Sequence, residues 1–168
     1  MTGRSDPEVR DRLKQRALRL LARREHAVKE LGEKLRRGSG TDPDAVRVVV
    51  QELVDQELVS DRRFAEALAR DAVRLKPRAR RLLVSEIVSK GVPAPVAGRA
   101  VDSVFEDQEV DDAALAQRVA EAYLPRVEGR PTETRWRRLA GHLQRRGFDN
   151  DRIYDVCSSL LPESDSGA

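Results

Sequence analysis

The sequence predicts an all-α protein: three tandem three-helix repeats stacked into an elongated, curved rod. Three observations predict it. First, one apolar pattern recurs. Counted from Gly40, Gly91 and Gly147, apolar residues fall six, nine, ten and thirteen positions on: Val46, Val49, Val50 and Leu53; Ala97, Ala100, Val101 and Val104; Ile153, Val156, Cys157 and Leu160. Those offsets are i, i+3, i+4 and i+7, one face of an α-helix. Second, a pair spaced by four precedes each glycine: Leu31/Leu35, Leu83/Ile87 and Leu139/Leu143, with one additional residue in the first copy. Third, no stretch alternates convincingly with period two. The β-branched run Val48-Val49-Val50 leads into Gln51 and Glu52 and keeps the helical register of the repeat. An array of small helical units presents extended surface rather than a deep catalytic pocket.

Each element follows from local signals. Asp6-Pro7, a cap followed by proline, opens a first helix running to about Arg24, with Leu13, Ala17, Leu20 and Leu21 inward. A second runs from about Ala27 to Arg37 and stops at Gly38-Ser39-Gly40. Asp42-Pro43 opens the third, which carries the Val46–Leu53 stripe. Ser60-Asp61 caps a fourth with Phe64, Ala65, Leu68 and Ala72 inward. Pro77 opens a fifth that ends at Lys90-Gly91, and Pro93 or Pro95 opens a sixth ending near Phe105. A seventh spans about Asp111 to Leu124 with Leu115, Val119 and Ala122 at core spacing. Thr132 caps an eighth through Arg146, and Asp149 caps a ninth that ends at Leu160-Leu161 before Pro162. The repeats are placed at 1–58, 59–107 and 108–162, with a disordered tail at 163–168. A unit of about 50 residues buries too little surface to be secure alone, so neighbouring units are expected to pack on one another.

Composition narrows the chemistry. Hydrophobic residues make up 39% of the 168 positions, charged residues 36% and aromatics 4%, so the cores are built from Leu, Val and Ala under wide solvated faces. The net charge of +3 is too small for whole-molecule steering. Local patches matter more, because screening acts within about 8 Å at physiological salt. Arg74, Lys76, Arg78, Arg80 and Arg81 form a run without acids, six arginines between Arg130 and Arg146 face one acid, Glu133, and six acids from Asp102 to Asp112 include no base between them. Arginine outnumbers lysine 27 to 5. Its planar fork suits phosphate and carboxylate, although GC-rich coding would give the same bias. One cysteine excludes an internal disulfide. With no signal peptide and no apolar run of membrane length, the expected setting is soluble and cytoplasmic, without a membrane partner.

Arg24-Glu25-His26-Ala27 with Glu30-Leu31 and Lys34-Leu35, Leu58 through Ala65, Pro77 through Glu86-Ile87 with Lys90-Gly91-Val92, and Arg145-Arg146-Gly147-Phe148 follow one another along residues 12–161. In that order and spacing they resemble the RecX family, bacterial modulators of the recombinase RecA. The resemblance implies three three-helix repeats, no catalysis and no cofactor. It also implies binding along the groove of a RecA–single-stranded DNA filament, with inhibition of RecA ATPase and strand exchange. Two residues depart from the family pattern. Ala27 stands where the family prefers serine and cannot cap, so the first two helices are expected to join more smoothly; Ser60 replaces the first aspartate of a D-D pair but still caps.

The glycine turns also suggest helix-turn-helix geometry. The exposed faces of the third helices carry mainly acids, however, which argues against insertion into a DNA groove. Basic side chains cluster instead on the fourth, fifth and eighth helices. Arg62, Arg63, Arg70, Arg74, Lys76, Arg78, Arg80, Arg81, Arg135, Arg137, Arg138, Arg145 and Arg146 are the candidate contact residues, a discontinuous strip facing RecA acids or DNA phosphates, single- or double-stranded. The alternative for these side chains is a solvated face paired with its own glutamates, where exposed pairs contribute roughly 0–1 kcal/mol. Reversing Arg78, Arg80 and Arg81 to Glu is therefore expected to abolish binding with little loss of stability. His26 and His142 lack partners at metal-ligand spacing, and Cys157 occupies a stripe position. Trp136 is read as a core anchor rather than a base-stacking platform, and Phe64, Phe105 and Phe148 as packing residues near the unit junctions. The expected molecule is a monomeric, non-enzymatic partner of the RecA filament. A stand-alone nucleic-acid binder acting through phosphate contacts is the alternative, and a helical scaffold for another protein the third.

Overall fold

The computed structural model describes residues 7–37 and 41–162. The Asp6 cap, the Gly38-Ser39-Gly40 stop and the 163–168 tail fall outside the described residues. Among those described there are nine α-helices, one 3₁₀ turn and no strand. The helices are α1 (Pro7–Leu21), α2 (Val28–Arg36), α3 (Pro43–Asp55), α4 (Asp61–Leu75), α5 (Arg80–Ser89), α6 (Ala94–Asp107), α7 (Asp112–Tyr123), α8 (Thr132–Arg145) and α9 (Asn150–Leu160), with the 3₁₀ turn at Leu124–Arg126 between α7 and α8. The helices gather into two compact units. One takes its residues from 7–68 and 85–101, the other from 69–84 and 102–162.

In the first unit the α1–α3 core is built from Leu13, Ala17, Leu31, Leu35, Ala45, Val46, Val49, Leu53 and Val59, with Leu20, Leu21 and Val50 partly buried at its edge. These are the apolar stripes of the sequence, and aliphatic side chains alone close the core. Asp42 caps α3 by accepting the Asp44 N–H at 3.0 Å, with Pro43 next to it. An Arg10–Glu52 ion pair joins α1 to α3.

Helix α1 ends at Leu21, and a full break separates it from α2. The smoother join expected from Ala27 does not occur. Ala27 adopts an extended conformation and supplies no side-chain cap. The Val28 N–H that opens α2 instead donates to the Asp61 carboxylate at 2.8 Å. His26, 2% exposed, holds the break. Its Nδ1 lies 3.0 Å from the Arg24 carbonyl oxygen and its Nε2 3.0 Å from Lys34 Nζ. A neutral ring that donates at Nδ1 and accepts at Nε2 satisfies both. Ser60 caps α4 through its hydroxyl oxygen, which accepts the Arg63 N–H at 3.3 Å. Phe64, Ala65, Ala69, Ala72 and Val73 are the buried residues of α4; Leu68, expected inward, is only half-buried.

The second unit corrects three sequence expectations. Helix α5 begins at Arg80, not at Pro77. Pro77 to Ala79 is drawn into contact with the end of α8: the Ala79 N–H donates to the Arg146 carbonyl at 2.8 Å, and Arg146 Nη1 donates to the Pro77 carbonyl at 3.1 Å. Pro131, without a side-chain bond, flanks α8, and Thr132 is its first helical residue rather than its cap. Ala122 is exposed because α7 buries Leu115, Ala116, Val119 and Ala120; the next buried apolar residue is Val127, beyond the 3₁₀ turn. Asp149 does cap α9, accepting the Arg152 N–H at 2.8 Å.

The repeat extends to how the helices are fastened. Asp61 and Asp112 occupy equivalent repeat positions, as do Val28 and Arg80, the first residues of α2 and α5. Asp61 binds the Val28 amide, and Asp112 binds the Arg80 guanidinium at 2.9 Å. The same position thus tethers the start of the preceding second helix in both units, once through backbone and once through a side chain. Glycine is required nearby for two reasons. Gly91 and Gly147 have φ of +94° and +84°, and a Cβ there would stand 2.5 Å from Lys29 Cδ and 2.5 Å from Leu82 Cβ.

Candidate functional site

Of the thirteen candidate basic residues, Arg62 and Arg63 belong to the first unit and the other eleven to the second. Several are held by the fold's own acceptors. Arg62 pairs with Glu66 at 2.7 Å, Arg63 with Glu25 at 3.0 Å and Arg74 with Asp71 at 3.8 Å. Arg80 is bound most completely, to Asp112 at 2.9 Å and Asp102 at 3.2 Å, with its guanidinium carbon 4.4 Å from the centroid of the buried Phe105 ring. Arg78 Nη1 donates to the Lys76 carbonyl at 3.2 Å, and Arg146 to that of Pro77. Arg70 is exposed and also engaged within the fold. Arg135 is half-buried, its Nε enclosed without a hydrogen-bond partner.

Reversing Arg78, Arg80 and Arg81 together is therefore not the neutral surface change expected from sequence. A carboxylate at position 80 would face Asp102 and Asp112.

Five of the thirteen are exposed and pair with no described carboxylate: Lys76, Arg81, Arg137, Arg138 and Arg145. All five belong to the second unit. Their charge is not neutralised internally, so it is the charge an approaching anion meets. The acidic face of α3 is partly self-paired, Asp44 with Arg47 at 3.3 Å and Asp55 with Gln51 at 2.8 Å.

Trp136 is half-buried. It meets Tyr154 edge to face, centroids 6.5 Å apart, and Tyr154 is itself 64% exposed. Phe64, Phe105 and Phe148 are buried. Burial pushes the Cys157 thiol up to about 11, which removes it as a nucleophile at neutral pH. No group of three metal-ligating side chains converges among the described residues, and none of the described helices is long and apolar enough to cross a membrane.

The fold also assembles residues that the sequence does not connect. Arg118 of α7, Arg126 of the 3₁₀ turn, and His142 and Arg146 of α8 line one pocket of about 230 Å³. Burial lowers His142 below its ordinary 6.5, and the charges of Arg146, Arg145 and Arg126 push the same way. Only Arg146 belongs to a basic run in the sequence; Arg118 and Arg126 stand singly, each with a glutamate within three residues, and nothing local links them to His142.

Helices capped by short side chains, glycine turns against the preceding second helix, and a recurring tether define a helical-repeat protein made of three-helix domains. Models of the first, second and third three-helix domains of RecX match residues 14–53, 60–101 and 109–157 in that order. The chain is 37% identical to the regulatory protein RecX of Halorhodospira halophila, over 98% of this chain and 96% of that protein. It is 33% identical to the regulatory protein RecX of Prosthecochloris aestuarii, over 94% and 98% respectively. The crystal structure of RecX from Lactobacillus salivarius superimposes with a TM-score of 0.74 at 20% identity, covering 91% of this chain and 97% of that one. The chain belongs to the RecX family.

Proposed function

We propose that this protein is a non-enzymatic, monomeric, cytoplasmic regulator that binds the groove of a RecA–single-stranded DNA filament and suppresses its ATPase and strand exchange. The observation that carries this reading is a set of five exposed cations without internal partners, on a chain whose family members are named regulatory proteins. Lys76, Arg81, Arg137, Arg138 and Arg145 meet RecA carboxylates or DNA phosphates. Arg62, Arg63, Arg70, Arg74, Arg78, Arg80, Arg135 and Arg146 of the wider strip contribute only as far as their internal contacts release them. Several weak contacts on one chain add avidity without any single tight site. By binding one conformation of the groove better than others, the protein hinders the transitions that ATP turnover and pairing of a second DNA require.

DNA-dependent ATP hydrolysis by RecA, measured with and without this chain, tests the proposal. Suppression at fewer than one copy per protomer is expected. Unchanged hydrolysis overturns it. Equal affinity for bare DNA, with a log-salt slope near −0.9 per neutralised phosphate on duplex, would identify a stand-alone nucleic-acid binder instead.

A further inference from the structure

The pocket bounded by α7, the 3₁₀ turn and α8, with Leu75 at the end of α4 and Pro77 on its remaining side, differs from the rest of the surface. Arg118, Arg126 and Arg146 line it together with His142 and Tyr123, and no carboxylate does. The chain carries 29 acids against 32 lysines and arginines, and elsewhere Arg80 meets Asp102 and Asp112 while Arg24 and Lys34 share Glu30. Three arginines therefore bring positive charge to one small cavity whose lining holds no acid to offset it.

The walls are fixed before any ligand arrives. Arg118 Nη2 donates to the Val73 carbonyl at 2.7 Å and Arg146 Nη1 to the Pro77 carbonyl at 3.1 Å, which leaves their other N–H groups to spare. The Tyr123 and His142 rings stack with centroids 4.1 Å apart and planes 9° from parallel. The Arg126 guanidinium carbon lies 5.9 Å from the Tyr123 centroid. The charged groups acting on His142 are Arg145 and Arg146 of its own helix and Arg126 of the 3₁₀ turn, while Tyr123 of α7 covers its ring. None of these is an acid. With about 230 Å³ of space, the cavity has room for a phosphate group.

We propose that this pocket binds a terminal phosphate dianion, and that His142 takes up a proton as it binds. Planar guanidinium forks match phosphate oxygens, and charge-assisted hydrogen bonds of this kind are the strong ones. A terminal phosphate offers three unesterified oxygens and two charges to three arginines. A backbone diester offers two oxygens and one charge. Burial first and the arginine charges second disfavour the His142 imidazolium; an anion offsets the second of these, so occupancy and protonation rise together. The phosphate could be inorganic, the end of a nucleotide, or the phosphorylated end of a strand; these share one chemistry at the site. None of the five unpartnered cations of the proposed filament contact lines this pocket, so the two proposals stand or fall separately.

The chain has two histidines, so proton NMR of the folded protein resolves the question. Titration in phosphate and in chloride at equal ionic strength should raise the His142 midpoint by at least about half a pH unit. His26, enclosed between the Arg24 carbonyl and Lys34, serves as the internal reference and should stay in place. Arg126→Gln should weaken phosphate binding at least about tenfold, whereas Arg99→Gln on α6 should leave it unchanged. Adenosine diphosphate and a 5′-phosphorylated oligonucleotide, run against the same strand with a 5′-hydroxyl, identify the source by which shifts His142 at the lowest concentration. The proposal is overturned if no phosphate moves His142 apart from His26, if Arg126→Gln keeps the full shift, or if the hydroxyl-ended strand acts as well as the phosphorylated one.

Discussion

Ala27 offers nothing to the first amide of α2, and Asp61, thirty-three residues beyond Val28, supplies the missing acceptor. Asp61→Ala should cost about 1 kcal/mol in urea denaturation, and Asp61→Asn clearly less because an amide oxygen still accepts. Nearby, burial opposes ionisation of Glu30, but hydrogen bonds and charge from Arg24 and Lys34 outweigh it and hold the carboxyl at about 2 instead of 4.5. Stability from Glu30 is thus fully present above pH 4.5 and is lost as pH falls toward about 2. Burial depresses His26 below 6.5, so below that pH the unfolded chain binds more protons than the fold. Unfolding free energy should fall as pH drops through 6.5, and His26→Gln should flatten the slope, leaving the similarly directed part from His142. The glycines separate strain from contact. Gly129 has φ of +73° and nothing within 4 Å of an added Cβ, whereas Gly147 has φ of +84° and Leu82 at 2.5 Å. Gly129→Ala should cost about 1 kcal/mol, the left-handed strain alone, and Gly147→Ala distinctly more by the same measurement.

Among the helices, what the sequence reveals depends on how far a signal reaches. Asp42, Ser60 and Asp149 are readable as caps because each bonds an amide two or three residues on. The apolar stripes are readable for the same reason: one helix turn links their members. The start of α5 is not, because the segment from Pro77 is held by the end of α8, and no local pattern announces a partner sixty-nine residues away. Arg80 shows the same limit in the surface reading. In sequence it sits in an acid-free run, yet its acids lie twenty-two and thirty-two residues on. Helix α5 should therefore respond unequally at adjacent positions. Arg80→Gln should destabilise by about 1 kcal/mol, since it removes two partly exposed ion pairs and uncovers Phe105, while Arg81→Gln stays within about 0.5 kcal/mol in the same assay.

For the molecule as a whole, the three-helix repeat and the family were legible, because a glycine turn and a helix stripe recur wherever the unit recurs. The pocket around His142 was not, because its arginines come from separate elements and only folding brings them to one cavity. The division between engaged and unengaged cations, equally invisible in sequence, sets the functional test. Reversing Arg81, Arg137 and Arg138 to Glu should abolish suppression of RecA ATP hydrolysis while shifting the melting temperature little. Retained suppression at moderate salt would remove these side chains from the contact.

The tether that recurs between repeats also orders the birth of the protein. The carboxylate that seals the head of α2 is encoded at position 61, and the one that grips the head of α5 at position 112. A growing chain leaves the ribosome with the head of α2 still open at its leading amide until Asp61 emerges, and with Arg80 held by Asp102 alone until Asp112 follows. Completion therefore advances from the amino end, the first two modules each finished by the opening residues of the next.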